Sequence, residues 1–155
     1  MVDPMLFEQL KFEEGLRLRA YLCPARKKTI GYGHNLDAKP LYEGNKIPDE
    51  ITKDIAEVLL HDDVERTMDM LDAIWPGFIS LHGARRDACI NMAFQLGVAR
   101  FMGFRKMCDA LDKSDWERAH FEALNSYWAR QTPERAARVS SQFITGEHYA
   151  VPSHH

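Results

Sequence analysis

Residues 12–36 read FEEGLRLRAYLCPARKKTIGYGHNL, and this stretch decides both the fold and the search for a site. Glu13-Glu14-Gly15 is typical of a helix end, because glycine readily stops a helix. Residues 17–22 then alternate polar and apolar side chains, which predicts a β-strand. Cys23-Pro24 predicts an extended turn, because the residue before proline is disfavoured in the helical region. Residues 29–34 predict a second short strand that two glycines loosen.

The carboxylate of Glu14 precedes a hairpin that is rich in basic residues. No acidic residue lies between Gly15 and Leu36. This placement suits a catalytic acid. Such an acid needs a raised pKa, which partial burial at a helix end can give. The alternative is that Glu13 and Glu14 are ordinary solvated helix residues. Glu13 lies about 100° round the helix from Glu14, and we expect it to face solvent.

Glu14, Cys23 and Thr29 follow a spacing that can be compared with a known signature. The order is a Glu before Gly, an Asp or sometimes a Cys nine residues on, and a Thr six residues further, here followed by Gly-Tyr-Gly-His. This pattern resembles that of the phage-type lysozymes, the muramidases of the phage endolysin family and of glycoside hydrolase family 24. The resemblance runs from about Met5 to about Tyr149. Its other matching stretches are residues 51–54, 85–86, 90–97 and 128–136.

The resemblance implies an α+β fold that is mainly helical. Its lysozyme-like architecture has two lobes: a small β-hairpin lobe, a long linking helix and a larger helical lobe. We expect one domain over residues 5–149, with residues 1–4 and 150–155 as tails or remnants outside it. Within the domain, the expected parts are the small β lobe at 15–50, the linking helix at 53–71 and the helical lobe at 72–149.

Helical patterns support this division. Thr52 is a good N-cap for a helix over 53–71, about 28 Å long at 1.5 Å per residue. Residues 84–96 are apolar on most sides, which predicts a buried helix closed by Gly97. Ser114 with Glu117 predicts a capping box that opens another helix. The remaining signals are an apolar stripe at Ile55, Val58, Leu59, Val64, Met68 and Leu71, a loop over residues 37–48, and Pro133 at the start of the last helix.

The composition of the chain argues against several classes of function. The chain has 155 residues and a net charge of −3, which weighs against nucleic acid as the main partner. It has no apolar run long enough for a membrane span, so we expect no membrane insertion. Its three cysteines do not suggest a disulfide framework, and we expect reduced thiols. The histidines lack metal-ligand spacing. We therefore expect no metal. We also expect no cofactor, and we expect the protein to be a monomer.

The resemblance assigns catalytic roles to Glu14, Cys23 and Thr29. Glu14 would be the proton donor, and Thr29 would hold the attacking water. Cys23 stands where most family members have aspartate, and a free thiol is mostly neutral at pH 7. The basic residues at 26–28 favour its thiolate. The alternative for Cys23 is an inert buried cysteine. The alternative for Thr29 is a residue present only because β-branched side chains favour β-strands. We interpret His34 as a structural residue that ties the hairpin by a hydrogen bond.

The same resemblance suggests residues that bind substrate. Arg135 matches an arginine that faces the catalytic acid and would lower its pKa. The other candidates are Asn35, Phe94, Gln95, Met107 and Gln131.

The activity that the resemblance implies is hydrolysis of the β-1,4 bond between N-acetylmuramic acid and N-acetylglucosamine in bacterial peptidoglycan. Two alternatives stay open: a lytic transglycosylase, and a wall-binding module with weakened catalysis. No signal pattern opens the sequence. We expect synthesis in the host cytoplasm and action on the cell wall, reached through a separate pore-forming protein or as part of a phage tail.

Overall fold

The computed structural model describes residues 3–37 and 50–152. These residues are mainly helical and carry a small three-stranded antiparallel sheet, which confirms the predicted α+β class. The chain divides into two compact units. We call Phe7–Glu65 the hairpin unit, and Met1–Leu6 with Arg66–His155 the helical unit. Nearly all of the predicted loop over 37–48 lies outside the described residues, and the predicted lobe boundaries stay a prediction.

The first helix, α1, spans Pro4–Glu14, as the sequence predicted to within one residue. It ends because Gly15 adopts a φ of +70°, and the backbone N–H of Gly15 donates to the carbonyl of Lys11 at 3.0 Å. Leu10 on this helix is fully buried. The last turn of α1 therefore fixes where the side chain of Glu14 begins.

Three short strands follow: β1 (Arg17–Leu22), β2 (Lys28–Gly31) and β3 (His34–Asn35). They pair antiparallel in the order β1-β2-β3. The prediction of a single strand over residues 29–34 was wrong. Gly31 and Gly33 both adopt left-handed backbone angles, with φ of +69° and +74°, so the chain turns back and Ile30 pairs with His34. Tight turns use glycine in this way because it lacks a Cβ.

The long helix α2 spans Lys53–Ile74, three residues further than predicted. The hydroxyl of Thr52 accepts a hydrogen bond from the N–H of Ile55 at 3.2 Å, so the predicted N-cap is confirmed. Part of the predicted apolar stripe was wrong, because Ile55 and Val58 are 45% and 60% exposed. The boundary between the two units falls within this helix. Val64 and Leu71 of the predicted stripe are buried, together with Ala56 and Leu60, which the stripe did not include.

The helical unit continues with short helices. The helix α3 (Gly83–Leu96) is buried throughout residues 87–93, which confirms the predicted buried helix. Gly97 closes it by donating its N–H to the carbonyl of Ala93 at 2.8 Å. The other elements are a 3-10 helix at Pro76–Ser80, and the helices α4 (Val98–Met102), α5 (Arg105–Asp112), α6 (Trp116–Leu124), α7 (Tyr127–Gln131) and α8 (Pro133–Thr145).

Two predicted helix starts had different outcomes. Pro133 is the first residue of α8, as predicted. The cap of α6 was predicted one residue too early. Ser114 adopts a φ of +57°, and the carboxylate of Asp115 instead accepts from the N–H of Arg118 at 3.2 Å. Aspartate is as good an N-cap as serine, so sequence alone did not separate the two.

All three tryptophans of the chain belong to the helical unit. The indole N–H of Trp75 donates to Asp112 at 3.0 Å, and that of Trp128 donates to Gln95 at 2.8 Å. Within residues 3–37 and 50–152, no helix combines the length and the apolar character that a membrane crossing requires.

Candidate active site

The carboxylate of Glu14 packs against the backbone of the turn between β2 and β3. A Cβ built on Gly33 would lie 2.6 Å from Oε1 of Glu14, well inside van der Waals contact. Gly33 also has a φ of +74°, which side-chain-bearing residues rarely adopt. The positive φ favours glycine at this position, and a side chain there would push the carboxylate of Glu14 away from the turn.

Cys23 begins a tight turn that leads from β1 to β2. Its N–H donates to the carbonyl of Lys27 at 3.0 Å, and the N–H of Arg26 donates back to the carbonyl of Cys23 at 2.7 Å. Arg26 adopts a left-handed φ of +62°. In this conformation the N–H of Lys27 donates to the sulfur of Cys23 at 3.4 Å. The sulfur is thus held by the backbone of its own turn.

The same turn changes the acidity of the thiol. Burial acts to raise the pKa of Cys23, but hydrogen bonds from the amides of Lys27 and Ala25 and from the Thr29 hydroxyl outweigh it, so the pKa is lowered from 9.0. The sequence attributed such an effect to the charges at 26–28. The main causes are instead backbone amides and one hydroxyl.

Thr29 is buried on β2 and is the cross-strand partner of Tyr21 and of Asn35. Its hydroxyl also donates to the carbonyl of Lys27 at 2.9 Å. A hydroxyl has one hydrogen to donate and two lone pairs that accept. Thr29 can therefore serve the sulfur or the carbonyl as donor while still accepting a hydrogen bond.

Tyr21 connects the acid and the thiol electrostatically. Burial raises the pKa of Tyr21, and the nearby carboxylate of Glu14 raises it further. The guanidinium of Arg17, 4.9 Å from the centre of the ring, opposes this rise, and Cys23 adds a smaller increase. Glu14 and Cys23 thus act on one phenol within the hairpin unit.

His34 is buried on β3, and its ring reaches α2. Its ring is 2% exposed, and Nδ1 lies 2.8 Å from a carboxylate oxygen of Asp63 on α2. This contact joins the third strand to α2 within the hairpin unit. It thereby supports the turn that carries Gly33.

The other predicted contact residue of the hairpin unit is Asn35. Its side-chain oxygen accepts from the N–H of Asp37 at 3.0 Å, so it shapes the end of β3. Asn35 as a substrate contact stays a prediction.

The predicted contact residues of the helical unit lie in different surroundings. The amide of Gln95 accepts from Trp128 at 2.8 Å and donates to Thr132 at 3.4 Å, which fixes its orientation. Phe94 is half-buried, and the exposed Gln131 donates to the hydroxyl of Tyr127 at 3.0 Å. Met107 is 1% exposed and lies beside a groove of about 560 Å³, together with Phe104, Tyr127 and Trp128.

Arg135 is buried, and its guanidinium donates to the side-chain oxygen of Asn91 at 2.9 and 3.1 Å. These bonds hold the group from within the helical unit. Its predicted action on the catalytic acid stays a prediction, as do the substrate contacts of the other helical-unit residues.

Sequence reasoning missed Gly33 and Tyr21. The electrostatic effect of Glu14 and Cys23 on Tyr21 carried no local signal, because β1 ends at Leu22 and Cys23 lies in the turn that follows. The contact of Gly33 with Glu14 carried no local signal, because the two residues are brought together only by the fold.

Comparison with known proteins shows where the chain belongs. The phage lysozyme family matches residues 11–140, most of the chain. Similarity to lysozymes, together with the α+β fold, places the protein among glycoside hydrolases of the lysozyme type. More narrowly, the chain belongs to the phage lysozyme family.

Individual relatives differ in how much of their length is matched. The pre-baseplate central spike protein Gp5 of Enterobacteria phage T4 is 32% identical over 93% of this chain, which spans only 28% of that protein. Probable T4-type lysozyme 2 of Dictyostelium discoideum is 29% identical over 91% of this chain and 94% of its own length. An endolysin of Bacillus phage B103 is 28% identical and is covered over 52% of its length.

Proposed function

We propose that this protein is a muramidase that hydrolyses the β-1,4 bond between N-acetylmuramic acid and N-acetylglucosamine in bacterial peptidoglycan. The observation that carries the proposal is the hairpin unit itself. There the carboxylate of Glu14 lies against Gly33, and the thiol of Cys23 and the hydroxyl of Thr29 form hydrogen bonds with the turn over residues 23–27. Membership of the phage lysozyme family supports glycan as the substrate class.

The proposed reaction uses Glu14 as general acid. Its proton moves to the glycosidic oxygen as the bond from that oxygen to the anomeric carbon breaks. A water attacks the anomeric carbon, and its proton is taken by the thiolate of Cys23. Glu14 is then a carboxylate and Cys23 a thiol, and exchange with solvent returns each to its starting state. General acid catalysis contributes typically about 10²–10⁴-fold.

The proposed substrate contacts are Asn35 in the hairpin unit, and Phe94, Gln95, Met107, Gln131 and Arg135 in the helical unit. Gln95 is the best supported of the helical set, because Trp128 and Thr132 hold its amide in one orientation. A fixed amide can recognise the acetamido groups of the glycan with little loss of side-chain entropy.

Two routes to the cell wall fit the relatives. The endolysins among them favour release from the host cell at lysis, through a pore made by a separate protein. The similarity to a central spike protein favours a second route, in which the domain is carried on a phage tail. In both cases the proposed site and reaction are the same.

The mass of the fragments released from purified peptidoglycan tests the reaction. Hydrolysis adds one water for each bond that is cleaved, whereas a lytic transglycosylase adds none. We expect loss of turbidity and hydrated muropeptides from the wild type. Anhydro products would overturn hydrolysis, and binding without any product would overturn catalysis.

A further inference from the structure

The turn over residues 23–27 has the features of a small anion-binding loop. A backbone that passes through a left-handed residue can aim successive N–H groups at one point. Arg26 supplies that conformation at φ +62°, and its position is fixed by the two backbone hydrogen bonds that close the turn. The atom at the focus is the sulfur of Cys23, which the N–H of Lys27 reaches at 3.4 Å.

We propose that this turn and the hydroxyl of Thr29 form a cradle that holds the sulfur of Cys23 as a thiolate, and that Thr29 is therefore a positioning residue for the sulfur. The inference rests on the proposed function, because it gives Cys23 a purpose in the reaction. It also adds to the role of Thr29, which the family resemblance limits to holding water.

The hydrogen-bonding capacity of Thr29 supports both roles. The Thr29 hydroxyl donates to the carbonyl of Lys27 at 2.9 Å. Once the sulfur carries a charge it is the stronger acceptor, since bonds to ionised groups are about twice as strong as neutral ones. The hydrogen of Thr29 then turns to the sulfur, and the lone pairs of the same oxygen remain available to accept from a water.

The charged and titratable groups around the cradle are few among the residues that the structure describes. Tyr21 faces Cys23 from β1, and Glu14 acts on that tyrosine. Within the turn and at the start of β2, the basic side chains of Arg26, Lys27 and Lys28 are all exposed. Exposed charges are screened by salt. The cradle therefore depends on the N–H of Lys27, held 3.4 Å from the sulfur, more than on these three cations.

Alkylation of Cys23 by iodoacetamide tests the cradle without any substrate. The rate at the Cys23 peptide, measured by mass spectrometry across a pH series, follows the thiolate fraction. We expect Thr29→Val to raise the pH midpoint by about one unit or more, because it removes one hydrogen bond to a charged group. Thr29→Ser should restore the wild-type midpoint. If Thr29→Val does not fold by circular dichroism, Thr29→Ala takes its place.

A charge-removing variant provides the matched control. Arg26→Gln with Lys27→Gln keeps every backbone N–H and removes two cations. We expect a smaller change of midpoint, which high salt abolishes. A midpoint that moves with the charges and not with Thr29→Val would overturn the cradle. Failure of the muramidase proposal would show differently, as wild-type protein with an acidic thiol and no cleavage of peptidoglycan.

Discussion

The hairpin unit and the helical unit treat the same side chain in opposite ways. In the hairpin unit, amides of a turn and one hydroxyl lower the pKa of Cys23 in spite of burial. In the helical unit, burial raises the pKa of Cys89 well above its ordinary value and that of Cys108 to about 12. All three cysteines are free thiols. The surroundings, and not the residue type, decide whether the thiolate of each cysteine is favoured or disfavoured.

This contrast reflects how each unit is built. The helical unit buries apolar side chains between helices, such as Ile90, Met92 and Phe143. Such a core uses most of its backbone amides within the helices, and burial desolvates the thiols of Cys89 and Cys108. The hairpin unit has short strands and tight turns, whose amides can point at side chains. The proposed catalytic residues belong to the unit with the less regular backbone bonding, and four sets of paired variants can test this proposal.

The largest effect should come from Glu14→Gln. The change keeps the shape of the side chain but removes its proton, so activity on peptidoglycan should fall by about 10²–10⁴-fold with little change in thermal unfolding. Glu13→Gln in the same helix and Glu134→Gln in the helical unit should retain activity. Loss of activity in Glu13→Gln with Glu14→Gln unaffected would show that the motif has been read one residue out of register.

The second effect concerns Cys23. Cys23→Ala should lose activity by an amount near the lower end of general base catalysis, about 10²-fold. Cys23→Asp should keep substantial activity. The native enzyme should lose activity as pH falls through the lowered pKa of Cys23, whereas an aspartate, with an ordinary pKa of about 3.9, stays ionised further into acid. The pH profile of cleavage measures this difference.

The control variants for Cys23 replace the two thiols of the helical unit. Cys89→Ala and Cys108→Ala should change stability and not the pH profile. Full activity in Cys23→Ala would leave Glu14, Thr29 and a water to carry the reaction without a second ionisable group.

The third effect separates contact from backbone strain. Gly33→Ala brings a Cβ to 2.6 Å from the carboxylate of Glu14, whereas a Cβ at Gly83 meets no atom within 4 Å. Both glycines have positive φ, +74° and +57°, so both substitutions should cost about 1–2 kcal/mol in stability. Only Gly33→Ala should also lose activity, by up to about 10²-fold, because it displaces the acid. Equal specific activities of the folded variants would contradict the contact.

The smallest effect concerns surface ion pairs, one in each unit. In the hairpin unit, Lys11 bonds Glu57 at 2.8 Å, and in the helical unit Arg118 bonds Glu122 at 3.1 Å. The hydrogen bond from Lys11 holds the pKa of Glu57 below 4.5. Its stabilisation is therefore present above pH 4.5 and is lost as pH falls through the lowered value.

Thermal unfolding across pH measures both pairs. Glu57→Gln should lower the melting temperature slightly at neutral pH and have no effect in strong acid. Glu122→Gln should have a smaller effect, since its pair joins residues of one helix turn, whereas Lys11 and Glu57 join two helices. A larger loss from Glu122→Gln would contradict this order.

Much of the fold could be predicted because its signals are local. Gly15, Thr52, Gly97 and Pro133 mark helix ends by their own chemistry, and each acts where the sequence placed it. The third strand was missed because it consists of two residues, too short for any alternation to appear. Ile55 and Val58 were misplaced because periodicity finds an apolar stripe but not the neighbour that covers it.

The site divides in the same way. Glu14, Cys23 and Thr29 were found through their spacing along the chain. The close approach of Gly33 to Glu14, and the amides that act on Cys23, depend on backbone angles at Gly33 and Arg26. Arginine has no preference for a left-handed backbone angle, so the residue type at position 26 did not predict one.

The placement of the tryptophans has a spectroscopic consequence. Because Trp75, Trp116 and Trp128 all belong to the helical unit, the intrinsic indole emission of the protein reports on that unit and is silent about the hairpin. A fluorophore attached to Cys23 would report on the other. Two colours recorded during one denaturant titration would thus show directly whether the two units melt together or in sequence.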